Sequence, residues 1–333
     1  MATTLKDIAE KTGLSPTTIS RVLNYDKTLS VSDETRDQIF SVAEKLNYIK
    51  SHHRSSSIST KKIALVQWYS EEKEQDDLYY LMIRKGVEKR GQQLGIEVMN
   101  IFKNDTSTLE TDIDGIIAVG KFSPEQVKDL ALVTDKIVFV DDDQFAKGFD
   151  SVLTNISLAM KKIVDFFWKE KIRDIGLIYG EEETTDHLRK IIDRRYIAFK
   201  KELSEKHAYD PKLVFKGDFT NDSGYQVMKE AIRKLKDRLP HAFFISNDPM
   251  AAGALKALRE AKIEIPKRVS IFSFNNTSLA SYVYPELSSV AVGTEEMGMA
   301  AINMLKDQLT ASKQPLAKRV ELETRLIFRQ STL

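Results

Sequence analysis

Two groups of residues in this 333-residue chain have the types and spacing to do chemistry. The first lies in TLKDIAEKTGLSPTTISRVLN, residues 4–24. Thr4, Ser15, Thr17, Thr18 and Ser20 offer short hydroxyls, Asn24 an amide and Arg21 a guanidinium. Such groups bond phosphate oxygens and base edges, and Arg reads guanine bidentately. Leu5 and Pro16 complete this candidate DNA-contact set. The second group sits just after short apolar runs: Trp68 and Tyr69, Asp141 to Asp143, Asn247 and Asp248, Asn275 and Asn276. Carboxylates and amides pair with vicinal hydroxyls, and an aromatic ring covers the apolar face of a pyranose. That chemistry suits a small sugar.

The elements that must position the first group are helices. Leu5, Ile8 and Ala9 fall three and four apart, as one apolar helical stripe. Gly13 supplies the left-handed residue that ends a helix. Ser15 is then an N-cap and Pro16 fits the first helical position. Ile19, Val22 and Leu23 make a second stripe, so the stretch predicts a helix-turn-helix. A plain helical hairpin in a core is the competing reading, but the polar face of the second helix is too bare for that. A third helix is expected over Val31–Tyr48, capped by Ser32 and buried through Ile39, Val42, Ala43 and Leu46.

The net charge of +1 gives no global nucleic-acid signature. Residues 1–62 carry ten Lys and Arg against seven Asp and Glu, a local excess of +3 that two copies would double. The absence of cysteine excludes disulfides, thiolate metal sites and Cys nucleophiles. No signal peptide and no membrane-length apolar run is visible, so a cytoplasmic protein is expected. KSHHRSSSISTKK, residues 50–62, is polar, basic and Ser-rich, and reads as a linker.

From Lys62 the texture changes. Strands are expected at Ile63–Trp68, Ile96–Phe102, Gly115–Val119, Ile137–Val140, Ile175–Tyr179, Leu213–Lys216, Ala242–Ile245, Val269–Phe274 and Ser289–Val292, with a last one at Val320–Phe328. Helices are expected at Asp77–Leu94, Ser123–Leu130, Leu158–Lys169, Thr185–Leu203, Asn221–Leu235, Pro249–Ala261 and Thr294–Leu309. Short apolar strands alternating with helices indicate parallel sheets covered on both faces. The units are too many for one sheet and suit two Rossmann-like subdomains. Ligands of such sheets sit beyond the carboxyl ends of the strands, where the second group lies. Asp77, at a helix start, is within reach of the same cleft. A dinucleotide enzyme would need a Gly-rich turn after the first strand, but YSEEKEQDD stands there. The five His residues are scattered. No catalysis, metal or cofactor is expected.

These residues carry a resemblance. D-I-A, G-L-S, T-I-S-R-V-L-N and the later L-N-Y resemble the DNA-binding domain of the lactose/galactose repressor (LacI/GalR) family. DIGLIYG, RRYIAFKKEL, N-D-P-M-A-A-G-A-L, I-P-K-R-V-S-I, P-E-L-S-S-V and GTEEMGMAA resemble that family's ligand-binding core, itself similar to periplasmic sugar-binding proteins. The resemblance implies a helix-turn-helix domain at 1–50, a hinge at 51–61 and a two-lobed core at 62–333. It puts subdomain 1 at about 62–155 and 292–320, and subdomain 2 at about 156–290 and 321–333. It implies Arg195, Asp248 and Asn275 as ligand residues, beside Trp68 as stacking platform, Tyr69 and Asp142. In the family a hinge helix wedges a Leu into the minor groove. Here the segment has no Leu, and Ile58 is its aliphatic candidate. The implied protein is a homodimeric, sugar-controlled repressor on near-palindromic operator DNA, away from membranes, and IALVQWYS and SFNNT point to galactose or a galactoside. A sugar-binding protein with a vestigial head and a purine-sensing co-repressor remain alternatives.

Overall fold

The computed structural model describes residues 5–23, 29, 31–46, 61–71, 78–109 and 112–333. Thr4, Asn24, Ile58 and Asp77 lie outside these, as does most of the basic linker. The chain divides into two units, one up to residue 59 and one from residue 60 onward.

The first unit holds α1 (Leu5–Thr12), α2 (Pro16–Leu23) and α3 (Asp33–Lys45). Gly13 ends α1 at φ +70°, and its N–H donates to Ala9 O at 2.9 Å. Ser15 Oγ accepts from Thr18 N at 3.1 Å, and Ser32 Oγ from Thr35 N at 3.2 Å, so both expected caps are formed. Ile8, Ile19, Val22 and Ile39 are fully buried and meet Ala43. Each such side chain contributes about 1.5–3 kcal/mol, and this small core is what holds the three helices together.

The second unit runs β1 (Lys62–Gln67), α4 (Leu78–Leu94), β2 (Glu97–Ile101), β3 (Gly115–Val119), α5 (Pro124–Val133), β4 (Ile137–Val140), β5 (Asp150–Thr154) and α6 (Ile156–Lys169). It continues with β6 (Ile175–Gly180), β7 (Glu182–Glu183), β8 (Lys190–Ile191), α7 (Arg194–Glu205), β9 (Val214–Gly217), α8 (Asn221–Leu235), β10 (Ala242–Ile245) and α9 (Asp248–Glu260). β11 (Ser270–Asn275), α10 (Leu279–Tyr282), β12 (Ser288–Ala291), α11 (Thr294–Thr310), β13 (Arg319–Leu322) and β14 (Arg325–Ile327) complete it. No described helix is long and apolar enough to cross a membrane.

Two six-stranded sheets result, ordered β13-β5-β4-β3-β1-β2 and β14-β12-β11-β10-β6-β9. The first is parallel throughout, with Ile63 to Gln67 registered on Gly115 to Val119. The second is parallel except for β14, which pairs antiparallel with β12. Strands buried on both faces explain their near-continuous apolar runs. The chain passes between the lobes at 155–156, 292–293 and 323–324.

Glycine sets the helix packing in each lobe. A Cβ on Gly298 of α11 would lie 2.2 Å from Ile83 O of α4, and one on Gly253 of α9 would lie 1.9 Å from Asn221 O of α8. The helix backbones touch there, and only a hydrogen side chain fits.

Three expectations are corrected. β5 was not expected, because DSVLT is half polar; its Asp150, Ser151 and Thr154 are nonetheless buried. Asp150 pays for burial with bonds from Gln308 Nε2 (2.9 Å) and Lys318 N (2.6 Å). The expected last strand, Val320–Phe328, is two strands, β13 in the first sheet and β14 in the second, so the first subdomain runs on through Leu322. The expected helix Thr185–Leu203 starts only at Arg194. Asp193 caps α7, accepting from Arg195 N at 2.9 Å. The residues before it form the β7–β8 hairpin, Glu182 opposite Ile191 and Glu183 opposite Lys190. Its turn is an Asp motif: Asp186 Oδ1 accepts from Thr184 Oγ1 (2.6 Å) and Leu188 N (3.1 Å), with His187 at φ +59°.

Candidate DNA-reading helix and interlobe cleft

In the first unit, Ser15, Pro16 and Thr17 are exposed, and Thr18, Ser20 and Arg21 are half-buried. Local chemistry builds this edge. The Ser15 hydroxyl that caps α2 also bonds Thr18 Oγ1 at 2.9 Å. Ile19 and Val22 anchor the opposite side of α2 in the core. Leu5 is not on this edge; it packs against the core. The start of α2 therefore presents hydroxyls, an Arg and the helix N-terminus, a set suited to phosphates and base edges.

The cleft between the two sheets holds a cavity of about 180 Å³. One wall comes from the first lobe: Tyr69, Tyr79, Tyr80, Lys121 and Asp141 to Asp143. The other comes from the second lobe: Glu182, Arg189 to Arg195, Phe219, Asn247, Phe274 and Asn275.

Arg195 is the fixed point of the second wall. Its Nε donates to Asp193 Oδ1 at 2.7 Å and its Nη1 to Ser246 O at 2.8 Å. The guanidinium lies 5.1 Å from the Phe219 ring centre and 5.4 Å from that of Phe274. Burial disfavours its charge, but Asp193 more than offsets this, and the guanidinium is held more firmly protonated than usual. Asn275 ends β11 at φ +97°, with Asn276 at +51° behind it. Asparagine tolerates that left-handed region better than most residues, and the turn puts Asn275 on the cavity wall.

On the first wall, Asp141 Oδ2 accepts from Tyr80 Oη and from Lys121 Nζ, each at 2.8 Å. Burial alone would raise the Asp141 pKa, but Lys121 and the Tyr80 hydroxyl bring it below the usual carboxylate range. Burial, and then Asp141, push the Tyr80 phenol up. Tyr69 and Tyr80 have ring centres 4.8 Å apart, and Tyr79 and Tyr80 4.9 Å. Glu182 accepts from Tyr69 Oη at 3.3 Å across the cleft. Burial pushes its carboxyl up to about 7, against the pull of Lys121 and Arg195.

The structure brings Tyr69, Asp142, Arg195 and Asn275 to the cavity wall. Two other expected ligand residues are placed elsewhere. Trp68 is 6% exposed and lies under the tyrosines, against Gly120, where a Cβ would meet its ring at 2.0 Å. The tyrosines take the wall position expected for it. Asp248 is 0% exposed. Its oxygens accept from Ser273 Oγ (2.6 Å), Ser289 Oγ (2.9 Å), Thr277 N (2.6 Å) and Thr277 Oγ1 (2.9 Å). Burial pushes its pKa up to about 6, with these donors opposing. It fixes the loop after β11 and thereby Asn275, while the neighbouring Asn247 is the cap of α9, accepting from Met250 N at 3.0 Å. Asp142 is also fully engaged: it accepts from Gln144 Nε2 at 2.7 Å, Phe122 N at 3.2 Å and Arg189 Nη1 at 2.8 Å.

Tyr79, Tyr80, Lys121, Glu182, Arg189, Phe219 and Phe274 were not expected at the cavity. Tyr79 and Tyr80 fell in a segment read as loop and helix, and Glu182 and Arg189 near one read as helix. Sequence position after a strand flagged Asp141, but no local signal separates it from Asp142.

Chemically, the cavity offers paired charges. Lys121 faces Asp141, Arg195 faces Asp193 and Arg189 faces Asp142. Each pair cancels its charge while leaving further donor and acceptor capacity, with three phenol rings beside it. A neutral polyhydroxylated ring fits this wall. Lys190 and Arg194 add two further cations to the lining. Among the described residues no group of three or more His, Asp or Glu is placed to hold a metal ion.

Comparison with known proteins agrees with both units. Residues 4–51 match the bacterial regulatory proteins of the lacI family, and residues 164–332 match a periplasmic binding protein-like domain. The chain is 41% identical over 330 residues to the HTH-type transcriptional regulator GalR of Streptococcus thermophilus, covering 99% of each. It is 39% identical to GalR of Lacticaseibacillus casei, over 99% of this chain and 100% of that one, and 36% identical to GanR of Bacillus subtilis strain 168, over 98% and 99%. Among solved structures, the CelR–cellobiose complex superposes with a TM-score of 0.70 at 23% identity, covering 99% of each chain. The lac repressor dimer bound to operator and the anti-inducer ONPF gives 0.72 at 20%, over the whole of both. The hydroxyl-lined helix of the first unit and the two-sheet cleft of the second are those of the lacI family of bacterial regulatory proteins, to which this chain belongs.

Proposed function

We propose that this protein is a sequence-specific DNA-binding transcriptional regulator, a repressor of sugar-utilisation genes, and that a small carbohydrate in the interlobe cleft modulates its operator affinity. Galactose or a galactoside is the favoured effector. The cavity carries the reading: an anchored Arg195, the Asn275 amide and a tyrosine wall make a site for a polyol. Regulators named GalR at 39–41% identity over nearly the full length support the sugar.

Chemistry at the cleft is binding alone. Arg195 offers a planar fork to two neighbouring ring hydroxyls. Asn275 donates to and accepts from others, Asp141 accepts, and a Tyr ring covers the apolar face of the sugar. Binding favours one relative placement of the lobes. By linkage, whatever factor the sugar takes from operator affinity, operator DNA takes from sugar affinity.

One helix-turn-helix reads few bases, so a two-fold dimer on a near-palindromic operator is the working form. Tyr282 and Tyr284, 85% and 73% exposed on the second lobe, offer an apolar patch for a second copy. Location in the cytoplasm follows from a role on DNA.

The test is binding of the purified full-length protein to DNA upstream of its own gene and neighbouring sugar genes, at stated salt, with and without a panel of sugars. Specific binding relieved by galactose or a galactoside is expected. Clear sugar binding without specific DNA binding would overturn the regulator reading.

A further inference from the structure

The β7–β8 hairpin belongs to the second lobe but is bonded to the first. Arg189 Nη1 donates to Asp142 Oδ1 (3.0 Å) and Oδ2 (2.8 Å) and to Phe122 O (2.8 Å). Gln126 Nε2 donates to Thr185 Oγ1 at 2.7 Å, and Ser123 Oγ donates to Asp186 Oδ2. The receiving surface is also held by bonds from its own lobe. Asp142 is 3% exposed and already oriented by Gln144 Nε2 and Phe122 N from its own lobe. Ser123 and Gln126 are the capping box of α5. Within the hairpin, Thr184 N donates to Arg189 O at 2.9 Å above the Asp186 turn.

The inner side of the hairpin is the outer wall of the cavity, through Arg189, Lys190, Ile191 and Ile192. With the hairpin in this position, the space is about 180 Å³. That is below the roughly 300–1,000 Å³ of drug-sized ligand sites and suits one sugar ring.

Resting on the cleft being the effector site, we propose that this hairpin is a size gate. Arg189, seated on Asp142 of the other lobe, closes the cavity around a single monosaccharide and rejects longer glycosides. A second ring would have to displace Arg189 and leave the buried Asp142 without its cation, a costly exchange. Arg189 and Asp142 are thus specificity-determining and positioning residues, and effector length is read by an ion pair rather than by a contact with the extra ring.

The experiment is calorimetric titration of the full-length protein with galactose, lactose and raffinose. It compares the wild type, Arg189→Ala, Asp142→Asn and Thr185→Val, each checked by thermal melting. The wild type is expected to prefer galactose over raffinose by at least tenfold. Arg189→Ala and Asp142→Asn are expected to narrow that ratio at least tenfold, mainly by gaining raffinose. Thr185 does not line the cavity, so a narrowing by a few fold in Thr185→Val would report the clasp itself, which a purely local effect of Arg189 on the wall would not produce. Sugar binding with the ratio unchanged in all three variants overturns the gate alone. Binding of no sugar by any form overturns the effector reading, and the gate with it.

Discussion

The edge proposed to read DNA is made from residues 15–21 of a single turn and helix, whereas the cleft gathers side chains from Tyr69 to Asn275 across two sheets. On the head, each side chain answers to its own helix: a cap, a stripe, an exposed face. In the cleft each answers to a partner far along the chain, as Arg189 does to Asp142 and Arg195 to Ser246. The difference teaches where substitutions spread. A change on the head removes one contact. A change in the cleft strands a buried partner as well, so its cost is larger and reaches further.

The sharpest contrast should come from Arg195→Ala. It leaves Asp193, 6% exposed, without its cation. Breaking such a pair costs about 3–5 kcal/mol of fold stability, and loss of charge-assisted hydrogen bonds to the sugar, about 1.5–3 kcal/mol, predicts a roughly 10- to 100-fold loss of sugar affinity. Calorimetry checks this, and operator affinity without sugar should stay within a few fold. An equal loss of DNA binding would break the comparison.

Glu182 gives the next effect. Its carboxyl keeps its proton up to about pH 7 in the fold, while in the unfolded chain it ionises near its ordinary value of about 4.3. Between those values the folded state binds more protons, so this group's contribution to stability falls as pH rises from about 4.5 to 7. The loss is about 1–3 kcal/mol. Urea melts between pH 5 and 8 should show a flatter profile in Glu182→Gln than in the wild type.

Arg21→Ala should weaken operator binding by about 1–3 kcal/mol if it reads a base. The loss would be uniform across sequences, with a shallower salt slope, if it meets phosphate. Fluorescence anisotropy on matched and mutated operators separates the two, and sugar titration should be unchanged. Smallest is Ser15→Ala, which removes the cap of α2 at a cost of about 1 kcal/mol. It should appear as a lower melting point of the head and a modest loss of DNA affinity, with no change in the cleft.

Legibility followed the same division. Gly13, Ser15, Pro16 and the Ile19/Val22 stripe state the helix-turn-helix within a few positions, because capping and periodicity are local. The sheets were legible too, since IALVQW, GIIAV, IVFV and AFFI are buried on both faces. β5 was not, because its Asp150 is satisfied by Gln308 and Lys318, far along the chain. Trp68 and Asp248 were rightly placed after strands but not at the wall. A residue's position at a strand end sets its height in the cleft, not the direction its side chain takes. The hairpin was hidden because an Asp turn and two short β pairs carry little periodic signal.

From the residues alone, this protein's two units, its helix-turn-helix and the alternation that yields parallel sheets were determined. Those depend on interactions within a turn or a strand. Only the tertiary structure decided that the tyrosines rather than Trp68 face the cavity, that Asp248 supports Asn275 from beneath, and that Asp142 receives Arg189 from the other lobe. Each of those outcomes is a pairing between segments distant in sequence. Which of several carboxylates meets a given cation is settled by how two sheets and a hairpin come together, where desolvation penalises every charge that finds no partner.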